Sequence, residues 1–127
     1  LTLKNPVIVS SSTLTENIDS IKTLEENGAA AVVLRSIFEE EITMEADHVV
    51  SQAVKEWYDE GLFDYFDSRV KQKNIEDYLD LILECKRQTS IPIIGSINAV
   101  SNHEWTYFAK KMESFGVDAI ELNMFLL

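Results

Sequence analysis

Four runs of apolar residues recur along the chain, and segments of helical periodicity separate them. The runs predict strands near residues 6–11, 30–35, 91–97 and 117–123. Pro6 fits only the start of the first strand, because proline cannot donate to a sheet ladder. The second run, Ala30 to Arg35, is continuously apolar as far as its arginine, which is typical of a strand buried in a parallel sheet.

The intervals between the strands predict helices. Ile18, Ile21 and Leu24 form the apolar stripe of the first helix, with Thr15 as its N-cap and Gly28 as its C′ residue. The second helix opens at Asn74 or Asp77, and Ser101 and Glu104 begin the third in capping-box spacing. Two inward-facing stripes are predicted for these helices: Tyr78, Leu81, Ile82 and Cys85, then Trp105, Phe108, Met112 and Phe115.

The order β-α-β-α-β-α-β predicts an α/β fold with parallel strands. One acidic excursion, at about residues 39–68, interrupts it after the second strand. Phe38 to Asp59 has a helical pattern, and Gly61 to Ser68 is expected to be irregular and aromatic. Glu39 to Asp67 contains ten acidic residues opposed only by Lys55, which favours a solvated surface over a partner-binding face.

Composition narrows the class of protein. A net charge of −11 argues against binding to nucleic acid, which needs clustered Lys and Arg. No apolar run approaches the roughly 20 residues that cross a bilayer. We therefore expect no membrane partner. A single cysteine, Cys85, allows no internal disulfide, so we expect a cytoplasmic protein. Cys85 lies on the apolar stripe of its helix, which predicts a core role for its thiol. The apolar last residues, 124–127, lead us to expect a piece of a longer polypeptide.

Polar residues follow each predicted strand: Ser10 to Thr13, Arg35 and Ser36, Ser96 to Asn98, and Glu121 to Asn123. Ligands of α/β folds bind outside the carboxyl ends of the strands, so these residues are expected to line one site. Three simpler interpretations stay open. Arg35 can form a rim ion pair with Glu121, Asn98 can cap the next turn, and the serines can be only a loop. No metal site is expected, because His48 and His103 are isolated.

Four segments taken together resemble the first half of the FMN-dependent dihydroorotate dehydrogenase family: LKNPVIVSS, GAAAVVLRS, IPIIGSIN and GVDAIELN. The resemblance implies a (β/α)₈ barrel, which needs about 250 residues. Residues 1–127 are then the N-terminal part of a single FMN-binding barrel domain. It also implies FMN as cofactor, a small-molecule substrate, and a homodimer for the full-length protein.

The family's site residues carry over by position. Ser10, Ser11 and Ser12 match a loop against the flavin ring, and Asn98 matches a polar residue on the flavin side. Asn123 matches an asparagine that reaches flavin and substrate, and Arg35 takes the place of a lysine that contacts both. Leu126 stands where the family has a cysteine or serine base, and a leucine cannot accept a proton.

The implied activity is oxidation of dihydroorotate, or of a related dihydropyrimidine, by hydride transfer to flavin. Two alternatives remain: another flavin- or phosphate-binding barrel, such as a dihydropyrimidine dehydrogenase domain, and a relative that binds flavin without turnover. A receiver-type signalling domain is rejected, because Ser10 to Ser12 and Asn98 stand where that fold needs acidic residues.

Overall fold

The computed structural model of the chain describes residues 1–38, 60–98 and 102–124. Five strands are present in this part of the chain: β1 (Ile8–Val9), β2 (Ala31–Val33), β3 (Ile37–Phe38), β4 (Ile93–Asn98) and β5 (Ala119–Leu122). The helices are a 3₁₀ turn (Thr13–Thr15), α1 (Ile18–Glu26), α2 (Glu60–Gln88) and α3 (Asn102–Phe115).

All strand pairings are parallel. β2 lies between β1 and β4, and β5 pairs with β4 from Ile94 to Ile97. The four predicted strands are therefore present and are neighbours in sequence order, as in the first half of a (β/α)₈ barrel, and the predicted α/β fold class is confirmed. The strand β3 was not predicted. It pairs with the last part of β4, along the same edge as β2.

A bulge separates β2 from β3. Val33 is in register with Ile94, and Ile37 is in register with Ile97. The three residues from 34 to 36 therefore lie opposite only two residues of β4, Gly95 and Ser96. An extra residue in one strand bends it and changes the direction of its side chains. Leu34 is buried, Arg35 is exposed, and Ser36 and Ile37 are both buried, so the simple alternation breaks at the bulge.

The two faces of β4 differ in their surroundings. A Cβ atom on Gly95 would lie 2.6 Å from Sδ of Met112 on α3, so this residue faces the helices. Since side chains alternate along a strand, Ile94, Ser96 and Asn98 lie on the other face, which we call the inner face. The helix-facing side forms the core with the three predicted apolar stripes, and its fully buried members include Ile21, Ile82, Cys85, Ile93, Ile97 and Met112.

Two glycines end helices as predicted. Gly28 and Gly116 follow α1 and α3 and have φ angles of 99° and 90°, a region that side chains with a Cβ rarely adopt. The predicted N-cap of α1 is wrong. Asn17 caps that helix by accepting from the Ser20 N–H, whereas Thr15 ends the preceding 3₁₀ turn.

The second helix is longer than the sequence indicated. α2 begins at Glu60, so the predicted start at Asn74 or Asp77 and the irregular segment at 61–68 are both wrong. Gly61 lies in the first turn of α2, outside the helix interior where glycine is most costly. Phe38 is in a strand rather than a helix. The rest of the predicted helical pattern, residues 39–59, and the predicted capping residue Ser101 lie outside the described residues. No described helix is long and apolar enough to cross a membrane.

Candidate functional site

Five side chains from the ends of the strands form one hydrogen-bonded cluster on the inner face: Ser11, Ser36, Ser96, Glu121 and Asn123. Ser96 is at its centre and is fully buried. Its Oγ lies 2.7 Å from Oγ of Ser36 and 2.6 Å from Oε1 of Glu121, and it accepts from Nδ2 of Asn123 at 2.9 Å. Ser11 joins the cluster through a 3.2 Å contact with the Ser36 hydroxyl. The register of the strands therefore brings together residues up to 112 positions apart in the chain.

The direction of the hydroxyl protons follows from their number. A serine hydroxyl has one proton, and a carboxylate only accepts. Ser96 donates its proton to Glu121. Ser36 must then donate to Ser96, and Ser11 must donate to Ser36. All three hydroxyls therefore point along one path, from the loop after β1 to the carboxylate on β5.

The amide of Asn123 completes the cluster. Its Nδ2 lies within hydrogen-bond distance of Ser96, of Ser36 at 3.2 Å and of Oε1 of Glu121 at 3.3 Å, so its two protons are shared among three acceptors. This orientation places the amide donor, rather than its oxygen, beside the carboxylate. Among the described residues, no hydrogen bond reaches Oδ1 of Asn123 or Oε2 of Glu121. The donors of the cluster are thus used within the protein, and these two oxygens keep their accepting capacity.

Two residues of the loop after β1, Ser11 and Thr15, form hydrogen bonds with the backbone of the bulge. The Ser36 N–H donates to Oγ of Ser11 at 3.0 Å, and the Arg35 N–H donates to the carbonyl oxygen of Thr15 at 3.4 Å. The buried side chain of Thr15 also donates to the carbonyl oxygen of Ser12. The loop after β1 and the bulge after β2 therefore hold each other in place.

A tyrosine of α2 also reaches the cluster from the helix side. Oη of Tyr78 accepts a hydrogen bond of 3.1 Å from the backbone N–H of Ser96. Burial raises the pKa of the Tyr78 phenol well above its usual range, although the bond from Ser96 opposes that rise. The phenol is therefore neutral at physiological pH and acts here as a hydrogen-bonding group.

Arg35 lies at the rim of the cluster. Its Nη1 is 3.3 Å from Oε2 of Glu16, and their side chains are 48% and 41% exposed. Glu16 is thus one partner of Arg35, whereas Glu121, the partner that the sequence suggested, is bonded to Ser96 and Asn123. Arg35 lies in the bulge, where the alternation of side chains breaks, so its partner could not be predicted from strand periodicity. An exposed pair of this kind contributes only about 0.2–1 kcal/mol to stability.

The structure brings only some of the predicted site residues together. Ser11 and Asn123 belong to the cluster. Ser12 caps the 3₁₀ turn by accepting from the Leu14 N–H, and Ser10 is exposed at the end of β1. Asn98 is half-buried in register with Phe38, and no hydrogen bond between described residues joins it to the cluster. Leu126 lies outside the described residues.

Ser36, Ser96, Glu121 and Tyr78 were given no ligand contact by the family resemblance, but the first three were expected to line the site, and only Tyr78 was not predicted there. The first three carried a signal, since each is a polar residue at the end of an apolar strand. Glu121 also shares a strand face with Asn123. Tyr78 carried no such signal, because its spacing marked it only as part of the core stripe of α2.

The other candidate groups lie apart from this site. Cys85 is fully buried in the core, as predicted, and burial raises the pKa of its thiol to about 11. Within the part of the chain that the structure describes, no group of three His, Cys, Asp or Glu residues is placed to hold a metal ion.

The sequence is similar to two archaeal proteins that carry the same name. It is 38% identical over 122 residues to the dihydroorotate dehydrogenase B (NAD(+)) catalytic subunit of Thermoplasma volcanium, and 32% identical over 122 residues to that of Thermoplasma acidophilum. In both comparisons the match covers 96% of this chain and 38% of the relative. No family model and no solved structure matches the chain. Over the 38% of its relatives' length that it spans, the chain is related to the dihydroorotate dehydrogenase family.

Proposed function

We propose that the chain is part of an FMN-dependent oxidoreductase that oxidises dihydroorotate, or a related dihydropyrimidine, by hydride transfer to the flavin. The observation that carries this proposal is the cluster of Ser11, Ser36, Ser96, Glu121 and Asn123 on the inner face. Buried polar groups are costly unless they are paired, and here they are collected at the carboxyl ends of parallel strands, where α/β folds bind ligands. The relationship to proteins named dihydroorotate dehydrogenase supports the same reaction class.

The residues at this edge of the sheet suit a flavin ring. The loop of Ser10 to Ser12 offers small side chains against which a flat ring can lie. Arg35 provides a positive charge at the rim, which suits the pyrimidine edge of the ring and favours its reduced, anionic form. Asn123 faces both flavin and substrate in this proposal, and its Oδ1 can accept from an N–H group. Bound FMN supplies the hydride-accepting chemistry, and the protein orients and polarises.

Asn98 is the weakest of the proposed flavin contacts. It lies on the inner face at the end of β4 and is half-buried. We retain it as a cofactor-binding residue because its position on that face matches the family's polar residue.

This reaction also needs a group that accepts a proton from the substrate. Leu126 occupies the family's base position and cannot accept a proton. Glu121 is the carboxylate nearest to the cluster's centre, and only one of its oxygens is bonded to described residues. We propose that Glu121 partly replaces the missing base by accepting the substrate proton. We also propose that dihydroorotate is a poorer substrate for this protein than for its relatives. A flavin-binding relative without turnover is the alternative that Leu126 favours.

The chain matches only part of the length of its relatives. Since the chain spans 38% of its relatives' length, we propose that it forms the N-terminal part of one barrel domain and that further chain supplies the FMN phosphate site. The homodimer and the cytoplasmic location remain proposals of the same kind.

FMN binding by the full-length protein tests the cofactor. We expect a yellow protein, and we expect Arg35→Ala to weaken FMN binding about 10-fold, because a charge-assisted hydrogen bond is lost. Arg87→Ala, which removes an exposed arginine from the last turn of α2, is the control and should leave the dissociation constant unchanged. A colourless protein that stays colourless after FMN is added would refute the proposal.

Turnover tests the substrate. General-base catalysis contributes about 10²–10⁴-fold to rate, so wild-type protein with dihydroorotate and a dye acceptor should turn over slowly, and Leu126→Cys should be faster. Leu122→Cys, which introduces the same thiol at an exposed leucine of β5, is the matched control. Wild-type turnover as fast as that of Leu126→Cys would contradict the reduced role assigned to this position.

A further inference from the structure

The backbone N–H of Ser96 has an unusual partner for a residue in the middle of a strand. Along β4 and the residue before it, the carbonyl oxygens of Pro92 and Ile94 accept from the N–H groups of Val32 and Leu34. Those of Ile93 and Ile97 accept from Asp118 and Asn123 on the other edge. Even-numbered residues therefore direct their backbone groups toward β2 and β3, and the N–H of Ser96 must point into the bulge.

The bulge leaves that N–H without its usual ladder acceptor. The extra residue between β2 and β3 displaces the backbone that a regular strand would place opposite Ser96. Oη of Tyr78 fills this position at 3.1 Å. Tyr78 belongs to α2, so a residue of the outer helical layer completes the hydrogen bonding of the sheet under the inner-face cluster.

We infer that Tyr78 is a positioning residue for the site, acting through the backbone of Ser96. The same residue, Ser96, has its N–H fixed by Tyr78 and its Oγ bonded to Ser36, Glu121 and Asn123. Rotation or displacement of its backbone would change all three contacts at once. Tyr78 thus determines how far apart the hydroxyls of the bulge and of β4 lie, although it does not itself belong to the inner face.

The neutral state of the phenol supports this role. Because burial keeps Tyr78 protonated, its oxygen accepts the Ser96 N–H without placing a second negative charge near Glu121. Phenylalanine in its place would preserve the ring packing and leave the Ser96 N–H without an acceptor, which is costly for a buried backbone group.

Amide hydrogen exchange in the flavin-free protein tests the inference without relying on the proposed function. In Tyr78→Phe, we expect exchange at the Ser96 N–H to accelerate about 10–100-fold more than at two reference amides. The references are Leu34 N–H and Asn123 N–H, which donate to Ile94 and Ile97 at 2.9 Å. Ile82→Val, a core change on the same helix, is the control and should accelerate all three amides by the same factor. Equal acceleration of the three amides in Tyr78→Phe would overturn the inference.

A second measurement links the residue to the site and rests on the proposed function. FMN binding by the full-length Tyr78→Phe protein should weaken several-fold, whereas Ile82→Val, with a similar loss of stability, should bind as the wild type does. Equal affinities for Tyr78→Phe and wild type would overturn the positioning role. If wild-type protein binds no FMN at all, the proposed function fails, and the exchange experiment alone decides the role of Tyr78.

Discussion

The substitution Ser96→Ala tests whether the inner-face cluster stabilises the fold as its geometry indicates. It removes a single buried oxygen and with it three hydrogen bonds, two accepted and one donated. The alanine Cβ keeps the position of the serine Cβ and only the volume of one oxygen is vacated, so the loss of hydrogen bonds dominates over the change in packing. Any loss of stability therefore reports on the hydrogen bonds of the cluster.

The magnitude follows from the separate partners. The bond donated to the Glu121 carboxylate contributes about 1.5–3 kcal/mol, and the Ser36 hydroxyl, left without its acceptor, costs about 1–3 kcal/mol. Asn123 keeps Ser36 and Glu121 as acceptors and adds little. Glu121 is half-buried and regains some solvation, so the lower ends of these ranges apply. We expect the free energy of unfolding to fall by about 2.5 kcal/mol.

Urea unfolding followed by circular dichroism measures this change. With a slope of about 2 kcal/mol per molar urea, the midpoint should fall by roughly 1.2 M and the slope should stay the same. Ser114→Ala is the matched control. Its Oγ donates to the Lys111 carbonyl oxygen on the surface of α3, and its loss should change stability by less than about 0.5 kcal/mol. A loss in Ser96→Ala no larger than in this control would refute the hydrogen-bonding scheme.

Two further predictions concern groups outside the cluster. Partial burial opposes ionisation of Asp118, but hydrogen bonds from Lys86 at 2.7 Å and from the Ile93 N–H at 2.8 Å lower its pKa. The stabilisation that ionised Asp118 gives the fold should be fully present above the unfolded pKa of about 3.9 and should be lost as the pH falls through the lower folded pKa. Asp118→Asn should therefore flatten the decline of stability between about pH 5 and 2, and an unchanged decline would contradict this. Cys85, buried and with a pKa raised to about 11, should resist a thiol reagent at pH 8 and react fully once the protein is unfolded in urea; fast labelling of the folded protein would show that it is not in the core.

Local sequence patterns determined much of the fold. The apolar runs identified four strands, and the spacing of Ile21, Phe108 and Met112 identified the helix faces that form the core. Gly28 and Gly116 marked helix ends, because only glycine readily adopts their positive φ angles. These features depend on neighbouring residues, so they can be read without knowing which strands pair. The polar residues after each strand also predicted where a site would lie.

Only the tertiary structure decided which of those polar residues meet. The bulge after β2 depends on the register between β2, β3 and β4, and within it Ser36 is buried whereas Arg35 is exposed and pairs with Glu16. The pairing of β4 with β5 places Ser96 beside Glu121, and packing of α2 brings Tyr78 to the Ser96 N–H. Each contact joins residues far apart in the chain, at distances of about 3 Å. Sequence periodicity indicates the face of a strand or helix on which a residue lies, whereas register and packing set the atomic separations on which hydrogen bonds depend.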